Sequence, residues 1–227
     1  NGLNLYYEVM GEGPPLVLLH GWGFSGTVWR PIVEQLKVSH TIYILDFRGH
    51  GRSEKPEAEY TLAILSDDLL EFLNFLDLST VTIIGWSMGA MVGLYFAARH
   101  PERVLKLGLI GSTAKLVQAE DFPFGAPPPI VRRLDKQLTQ NFEKAMEAFS
   151  RLIIYGEDHL KEKRAQLWAQ LEDGVVQPPP HVARACLQMI ETAETVKRTL
   201  AEYGVEVEIG QIKPGPTVTM YGLTPGW

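Results

Sequence analysis

The segment that most restricts the fold is Val81-Thr82-Ile83-Ile84-Gly85-Trp86-Ser87-Met88-Gly89. Its apolar start reads as a buried strand, and Met88 to Arg99 reads as a helix closed by His100 and Pro101. A strand that turns into a helix this abruptly needs tight backbone angles and close neighbours, and glycines two residues either side of Ser87 give the room. Three further apolar runs, Leu16 to Leu19, Ile42 to Leu45 and Val104 to Ile110, have the continuous character of strands covered on both faces. The helical patterns Val28 to Leu36 and Leu62 to Leu76 fall between them. Strand and helix alternate, so the expected class is α/β, a mostly parallel sheet with helices on both faces. Leu3 to Val9, ahead of Gly11-Glu12-Gly13-Pro14-Pro15, reads as a hairpin-like piece that supplies an edge strand.

Beyond the proline cluster Pro127-Pro128-Pro129 the strand signal stops, and Ile130 to Leu171 is mostly helical up to the second cluster at Pro178-Pro179-Pro180. Val131, Leu134, Leu138, Phe142, Met146 and Phe149 recur at three or four residues, as an amphipathic face does. The expected organisation is a core over 1–120, a helical cap over 121–180, a returning helix over 181–203 and an atypical tail over 204–227. The tail alternates through Val205 to Ile209, turns at Pro214-Gly215-Pro216 and resumes at Thr217 to Tyr221, which reads as two short strands.

Composition narrows the function classes. The 227 residues carry 21 Lys+Arg against 27 Asp+Glu, a net charge of -6, which argues against a phosphate-driven nucleic-acid surface over the whole chain. No apolar run approaches the roughly 20 residues of a membrane span. The single cysteine, Cys186, has no partner for a disulfide or a thiolate metal site; it reads as packing and suits a reducing cytoplasm. No cofactor or metal is expected. The chain starts at Asn1 with neither an initiator Met nor a signal-peptide pattern, and is read as a fragment.

Gly85-Trp86-Ser87-Met88-Gly89 is a G-x-S-x-G turn in its strand-to-helix context, which places Ser87 at a helix N-terminus, where developing negative charge is favoured. His20-Gly21-Trp22-Gly23, straight after Leu16 to Leu19, is a loop able to present a backbone N–H to the same point. The expected roles are Ser87 as nucleophile and the Trp22 and Met88 N–H groups as an oxyanion hole, with Gly21, Trp22 and Trp86 bordering the substrate. His20 reads as a structural histidine tying loops together. In Asp46-Phe47-Arg48-Gly49-His50-Gly51-Arg52-Ser53, Asp46 is expected to pair with Arg48 or Arg52 and hold the loop.

These three motifs, in this order, resemble the α/β-hydrolase superfamily over roughly residues 1–195. With Trp29-Arg30, His100-Pro101-Glu102-Arg103-Val104 and the helical stretch after Phe122-Pro123, the chain looks most like carboxylesterases of the pimeloyl-acyl-carrier-protein methyl ester esterase type. The resemblance implies acyl transfer: Ser87 attacks an ester carbonyl, and water later releases the acid. It implies a small-molecule or carrier-linked acyl ester as substrate, with Arg132, Arg133, Lys136, Lys144 and Arg151 as a basic face for an acidic carrier.

The pattern then breaks. Family members carry the triad acid and histidine late in the chain, yet after Thr195 there is no histidine and no aspartate. Leu152-Ile153-Ile154-Tyr155-Gly156-Glu157-Asp158-His159 looks like an acid-bearing strand and turn, and with His181 downstream the order Ser87, Asp158, His181 matches the superfamily. Against it, Leu152 to Tyr155 also continue the helical face begun at Val131. The alternative is a catalytically incomplete hydrolase whose last strands are missing or replaced. The stretch Thr199 to Val205 through Gly210 to Thr219 resembles a short pre-motor segment of FtsK-type DNA translocases, without a G-x-x-x-x-G-K-[ST] phosphate loop, so no translocase activity and no nucleic acid are implied.

Overall fold

The apolar runs form the strands β1 (Tyr7–Met10), β2 (Pro15–Leu19), β3 (Thr41–Leu45), β4 (Val81–Trp86) and β5 (Val104–Ile110) of one sheet, ordered β1-β3-β2-β4-β5. The computed structural model describes residues 2–112, 116–118, 120, 126–154, 162, 176–192, 207–214 and 219–225. β2, β3, β4 and β5 run parallel, and β1 is antiparallel to β3. Helices α1 (Arg30–Leu36), α2 (Leu62–Phe75) and α3 (Met88–Arg99) connect the strands. α4 (Pro128–Gln140), α5 (Phe142–Ile154) and α6 (Pro180–Thr192) follow. The tail residues form the antiparallel pair β6 (Val207–Pro214) and β7 (Thr219–Pro225), two strands as expected, each extending beyond the alternating stretch that signalled it, while the turn expected between them lies mostly outside the described residues.

Period-two burial explains the sheet. In β2, Val17 and Leu19 join one hydrophobic cluster while Leu16 and Leu18 join the other. α2 and α3 cover the first face through Leu65, Leu69, Phe72, Val92 and Phe96, and α1 with the short 3-10 turn Gly26–Trp29 covers the second through Trp29 and Val33. Each of these side chains contributes about 1.5–3 kcal/mol when fully buried. Val131, Leu138, Met146, Val182, Leu187 and Ile190 of α4, α5 and α6 belong to the first cluster, so these helices share the core of the sheet. No described helix is long and apolar enough to cross a membrane.

Three expectations are corrected. The Leu3 to Val9 piece makes no hairpin with the next strand: β1 passes β2 and pairs with the far side of β3, Tyr7 opposite Leu45. Its connecting loop lies against the turn after α1, where a Cβ on Gly11 would meet the His40 carbonyl at 2.4 Å and one on Gly13 the Ser39 carbonyl at 2.7 Å. The helical pattern from Val28 divides into the 3-10 turn and α1 because Pro31, lacking an N–H, fits only the first turn of a helix. β5 is exposed at Leu105 (64%) and Ile110 (41%), since it is the outermost strand of this sheet among the described residues. Leu152 to Ile154 form the last turn of α5, as the continuing helical face predicts, and so are not the acid-bearing strand that the Asp158 assignment needs.

Candidate active site

β4 passes into α3 through Ser87, whose φ of 53° and ψ of -115° lie where L-residues are strained by about 1–3 kcal/mol. Three backbone bonds impose that conformation: the Ser87 N–H donates to Ile110 O of β5 at 2.8 Å, and its carbonyl accepts from Ala90 and Met91. The flanking glycines are steric necessities. A Cβ on Gly85 would lie 2.4 Å from Gly89 O, and one on Gly89 would lie 2.3 Å from Leu19 O and 2.6 Å from His20 O. The start of α3 is therefore pressed onto the end of β2, which brings the next loop over Ser87. There a Cβ on Gly21 would be 3.3 Å from Ser87 Cβ and 2.9 Å from the Trp86 ring.

Ser87 Oγ, half-buried, makes no hydrogen bond to a described residue, nor do the backbone N–H groups of Trp22 and Met88. The three expected groups thus sit on adjoining segments, Ser87 and Met88 at the head of α3 and Trp22 one residue past Gly21, each with hydrogen-bonding capacity unspent. Trp22 and Met88 are buried residues, so those N–H groups belong to a partly enclosed site.

His20 and His50 lie beneath this loop, fully buried, their rings 5.3 Å apart. The Phe47 N–H donates to His20 Nε2 at 3.1 Å, so the proton sits on Nδ1, which faces Gly21 O at 2.9 Å. His20 is thus the structural histidine expected, its lone pair already used. His50 Nδ1 donates to Arg48 O at 3.1 Å, and its Nε2 is enclosed without a partner among the described residues. Burial holds His20 down to about 4, and burial together with the nearby His20 holds His50 down to about 3. Both rings are neutral in the fold, whereas the unfolded chain protonates near 6.5, so their contribution to stability is complete above that pH and is lost as pH falls toward 4 and 3. Between pH 7 and pH 5, above the ordinary carboxylate range, unfolding should become easier by about 2 kcal/mol per ring. Urea midpoints across that window measure it, and a level midpoint contradicts it.

Asp46 does not form the expected ion pair with Arg48 or Arg52. Its buried carboxylate accepts the backbone N–H of Gly26 at 2.6 Å and of Arg52 at 2.9 Å, and a Cβ on Gly51 would lie 2.0 Å from it. Arg48 instead donates from Nε and Nη2 to Asp68 of α2, the Nη2 bond being 2.6 Å. Cys186 is buried, and that burial pushes its thiol up to about 12, which fits packing.

Of the acid and base expected late in the chain, only His181 is among the described residues. Asp158 and His159 lie outside the described residues, and His181 is exposed at the second position of α6 without a bond to Ser87. Sequence reasoning missed the residues packed on the loop from the other side. The Trp22 indole N–H donates to Ala183 O of α6 at 2.8 Å, and its ring meets Phe149 of α5 edge-on at 4.5 Å. A Cβ on Gly23 would lie 2.6 Å from Met146 Cε, and one on Gly49 would lie 2.4 Å from Val182. Only the period of the helical face signalled Met146 and Phe149; nothing signalled Ala183, whose carbonyl is backbone. Among the described residues no cluster of three or more His, Cys, Asp or Glu is placed to hold a metal.

A family model described as alpha/beta hydrolase fold matches residues 14–204. The chain belongs to the alpha/beta hydrolase fold family. This alpha/beta hydrolase is 30% identical over 172 residues to a pimeloyl-[acyl-carrier protein] methyl ester esterase of Chromobacterium violaceum, covering 74% of this chain and 65% of that protein. It therefore spans just under two thirds of that relative's length. A protein of the same name from Vibrio vulnificus is 32% identical over 187 residues, 82% of this chain and 71% of its own. Among solved structures, an esterase from Exiguobacterium antarcticum superposes with a TM-score of 0.77 at 24% identity, over 88% of this alpha/beta hydrolase and 74% of that chain, a likeness of fold.

Proposed function

We propose that the chain hydrolyses carboxylic esters through an acyl-enzyme at Ser87. The observation that carries this reading is Ser87, held at φ 53° with its Oγ bonded to no described residue, next to the Met88 N–H and against Gly21, which precedes the Trp22 N–H, neither N–H being taken up by a described residue. In the proposed sequence Ser87 Oγ attacks the ester carbonyl carbon and its proton passes to a base. The carbonyl oxygen becomes an oxyanion that the Trp22 and Met88 N–H groups receive, and Gly21 and Trp86 border the substrate. The C–O bond to the alcohol then breaks, the alcohol leaves with the proton, and water repeats the attack on the acyl-enzyme to release the acid. His20 is excluded as the base because its lone pair accepts the Phe47 N–H. His181 is the assignment that keeps the order Ser87, Asp158, His181, and its neighbours Val182 and Ala183 touch Gly49 and Trp22.

An acyl-enzyme predicts burst kinetics. With a p-nitrophenyl ester in excess, the first turnover should release close to one p-nitrophenol per chain before a slower steady rate; strictly linear release at or below the buffer rate argues for the second reading. That second reading is a hydrolase fold that keeps the pocket without a working base, and its support is the lack of any bond between Ser87 and a described histidine.

The substrate proposed is an acyl methyl ester on an acidic carrier protein, as the names of the two relatives suggest. Arg132, Arg133, Lys136 and Lys144 are exposed on α4 and α5, where they are available to a carrier. Reversing these four charges should slow association with a carrier-linked ester about tenfold or more at low salt and leave small-ester turnover unchanged. Equal losses on both substrates contradict the carrier. The family match ends at residue 204, and the translocase resemblance of the tail adds no activity to this reading.

A further inference from the structure

The loop that carries the Trp22 N–H is poorly held by the sheet. Gly21 and Gly23 flank Trp22, and Gly23 takes a φ of 77°, so the backbone here has wide freedom when unrestrained. Within the loop the one backbone–backbone hydrogen bond is Phe24 N–H to Gly21 O at a long 3.3 Å, and the same carbonyl accepts from His20 Nδ1 at 2.9 Å. His20 is tied to the Phe47 N–H on one side, but nothing in β2, β3 or β4 bonds to the Trp22 backbone.

What fixes Trp22 comes from the opposite side. The indole N–H reaches Ala183 O in the first turn of α6, the ring stands edge-on to Phe149 of α5, and Met146 of α5 fills the space where Gly23 lacks a side chain. Trp22 is 3% exposed and Met146 fully buried, so these contacts exclude water. α6 is itself braced: Arg184 donates to Asp135 of α4 at 2.9 Å, and Val182 fits against Gly49 of the loop after β3.

We infer that Trp22, Met146 and Phe149, with the Ala183 carbonyl, form a clamp through which α5 and α6 position the oxyanion loop. Trp22 then has two separate roles: its backbone N–H meets the substrate, and its side chain is a positioning group that reads whether the helices are seated. A substrate that lifted α5 or α6 would loosen the Trp22 N–H as it entered, so productive substrates are those that pass without displacing these helices. This rests on the acyl-enzyme reading above for its consequence, but the clamp itself is a statement about loop order.

The test separates the two. Trp22→Phe keeps a ring against Phe149 and deletes the indole donor; Met146→Ala empties the space against Gly23; Met146→Leu is the conservative variant. Hydrogen exchange of the peptide covering 20–25 is compared with that covering 15–19. Exchange in 20–25 should rise about tenfold in Trp22→Phe and Met146→Ala, stay unchanged in 15–19, and return to the parent rate in Met146→Leu. On a p-nitrophenyl ester, kcat should fall about tenfold while KM moves by less than about twofold, because a misplaced donor is felt mainly by the oxyanion. Unchanged exchange in 20–25 overturns the clamp, as does accelerated exchange spread equally over both peptides. A parent chain that releases no p-nitrophenol overturns the acyl-enzyme reading alone, and the exchange rates still decide the clamp.

Discussion

Ser87→Ala is expected to lower turnover of short p-nitrophenyl esters by at least about 10³-fold, to the level set by binding and the remaining N–H donors. The effect should be confined to chemistry. Oγ bonds to no described residue, and the bonds that hold the strained turn run through the Ser87 backbone, which alanine keeps. Alanine also bears the same Cβ at φ 53°, so the strain is neither added nor relieved. Thermal midpoints of the two proteins should agree to within about 0.5 kcal/mol of stability. Residual turnover within a few-fold of the parent would mean that hydrolysis occurs elsewhere on the chain.

Gly89→Val should unfold the protein or cost more than about 4 kcal/mol, a large part of a domain's total stability. The atoms a new Cβ would strike, Leu19 O at 2.3 Å, His20 O at 2.6 Å and Leu19 C at 2.6 Å, all belong to backbone, and none can swing aside as a side-chain tip does. Relief requires α3 to move off β2, which would disturb Ser87 and the Gly21 loop together. Gly93→Ala, one turn further along α3, is the control. Its Cβ meets Ile83 Cγ2 and Leu107 Cδ1 at 3.3 Å, flexible ends that yield by a few tenths of an ångström, and alanine gains about 1 kcal/mol in helix propensity. Urea midpoints for the two variants measure the contrast, and similar midpoints would contradict the close packing of α3 on β2.

Much of this was legible in the sequence because it is local. Met88 to Arg99 and Val104 to Ile110 were bounded to the residue, since a glycine turn, a proline and continuous apolar runs mark those ends. The Ser87 turn was legible for the same reason: its requirement for small neighbours is written in adjacent positions. What failed was non-local. That β1 lies beyond β3 depends on a loop packing against residues some thirty positions away. Asp46 was given ionic partners because arginines stand near it in sequence, whereas its carboxylate is satisfied by backbone N–H groups, which any residue type supplies. Arg48 found Asp68 on α2, and Trp22 found Ala183, a partner 161 positions away. The uneven spacing from Val131 to Phe149 revealed a buried face but not that Met146 and Phe149 would press on the loop over Ser87.

Activation of Ser87 is tested most directly by intact mass after treatment with a fluorophosphonate, which phosphonylates a serine only where the site withdraws its proton and receives the developing charge. The parent chain should gain one adduct, absent from Ser87→Ala, with Trp22→Phe labelled more slowly. A folded parent chain that gains no adduct would contradict an activated Ser87 and leave a hydrolase fold with its turn and loop assembled but no base to use them.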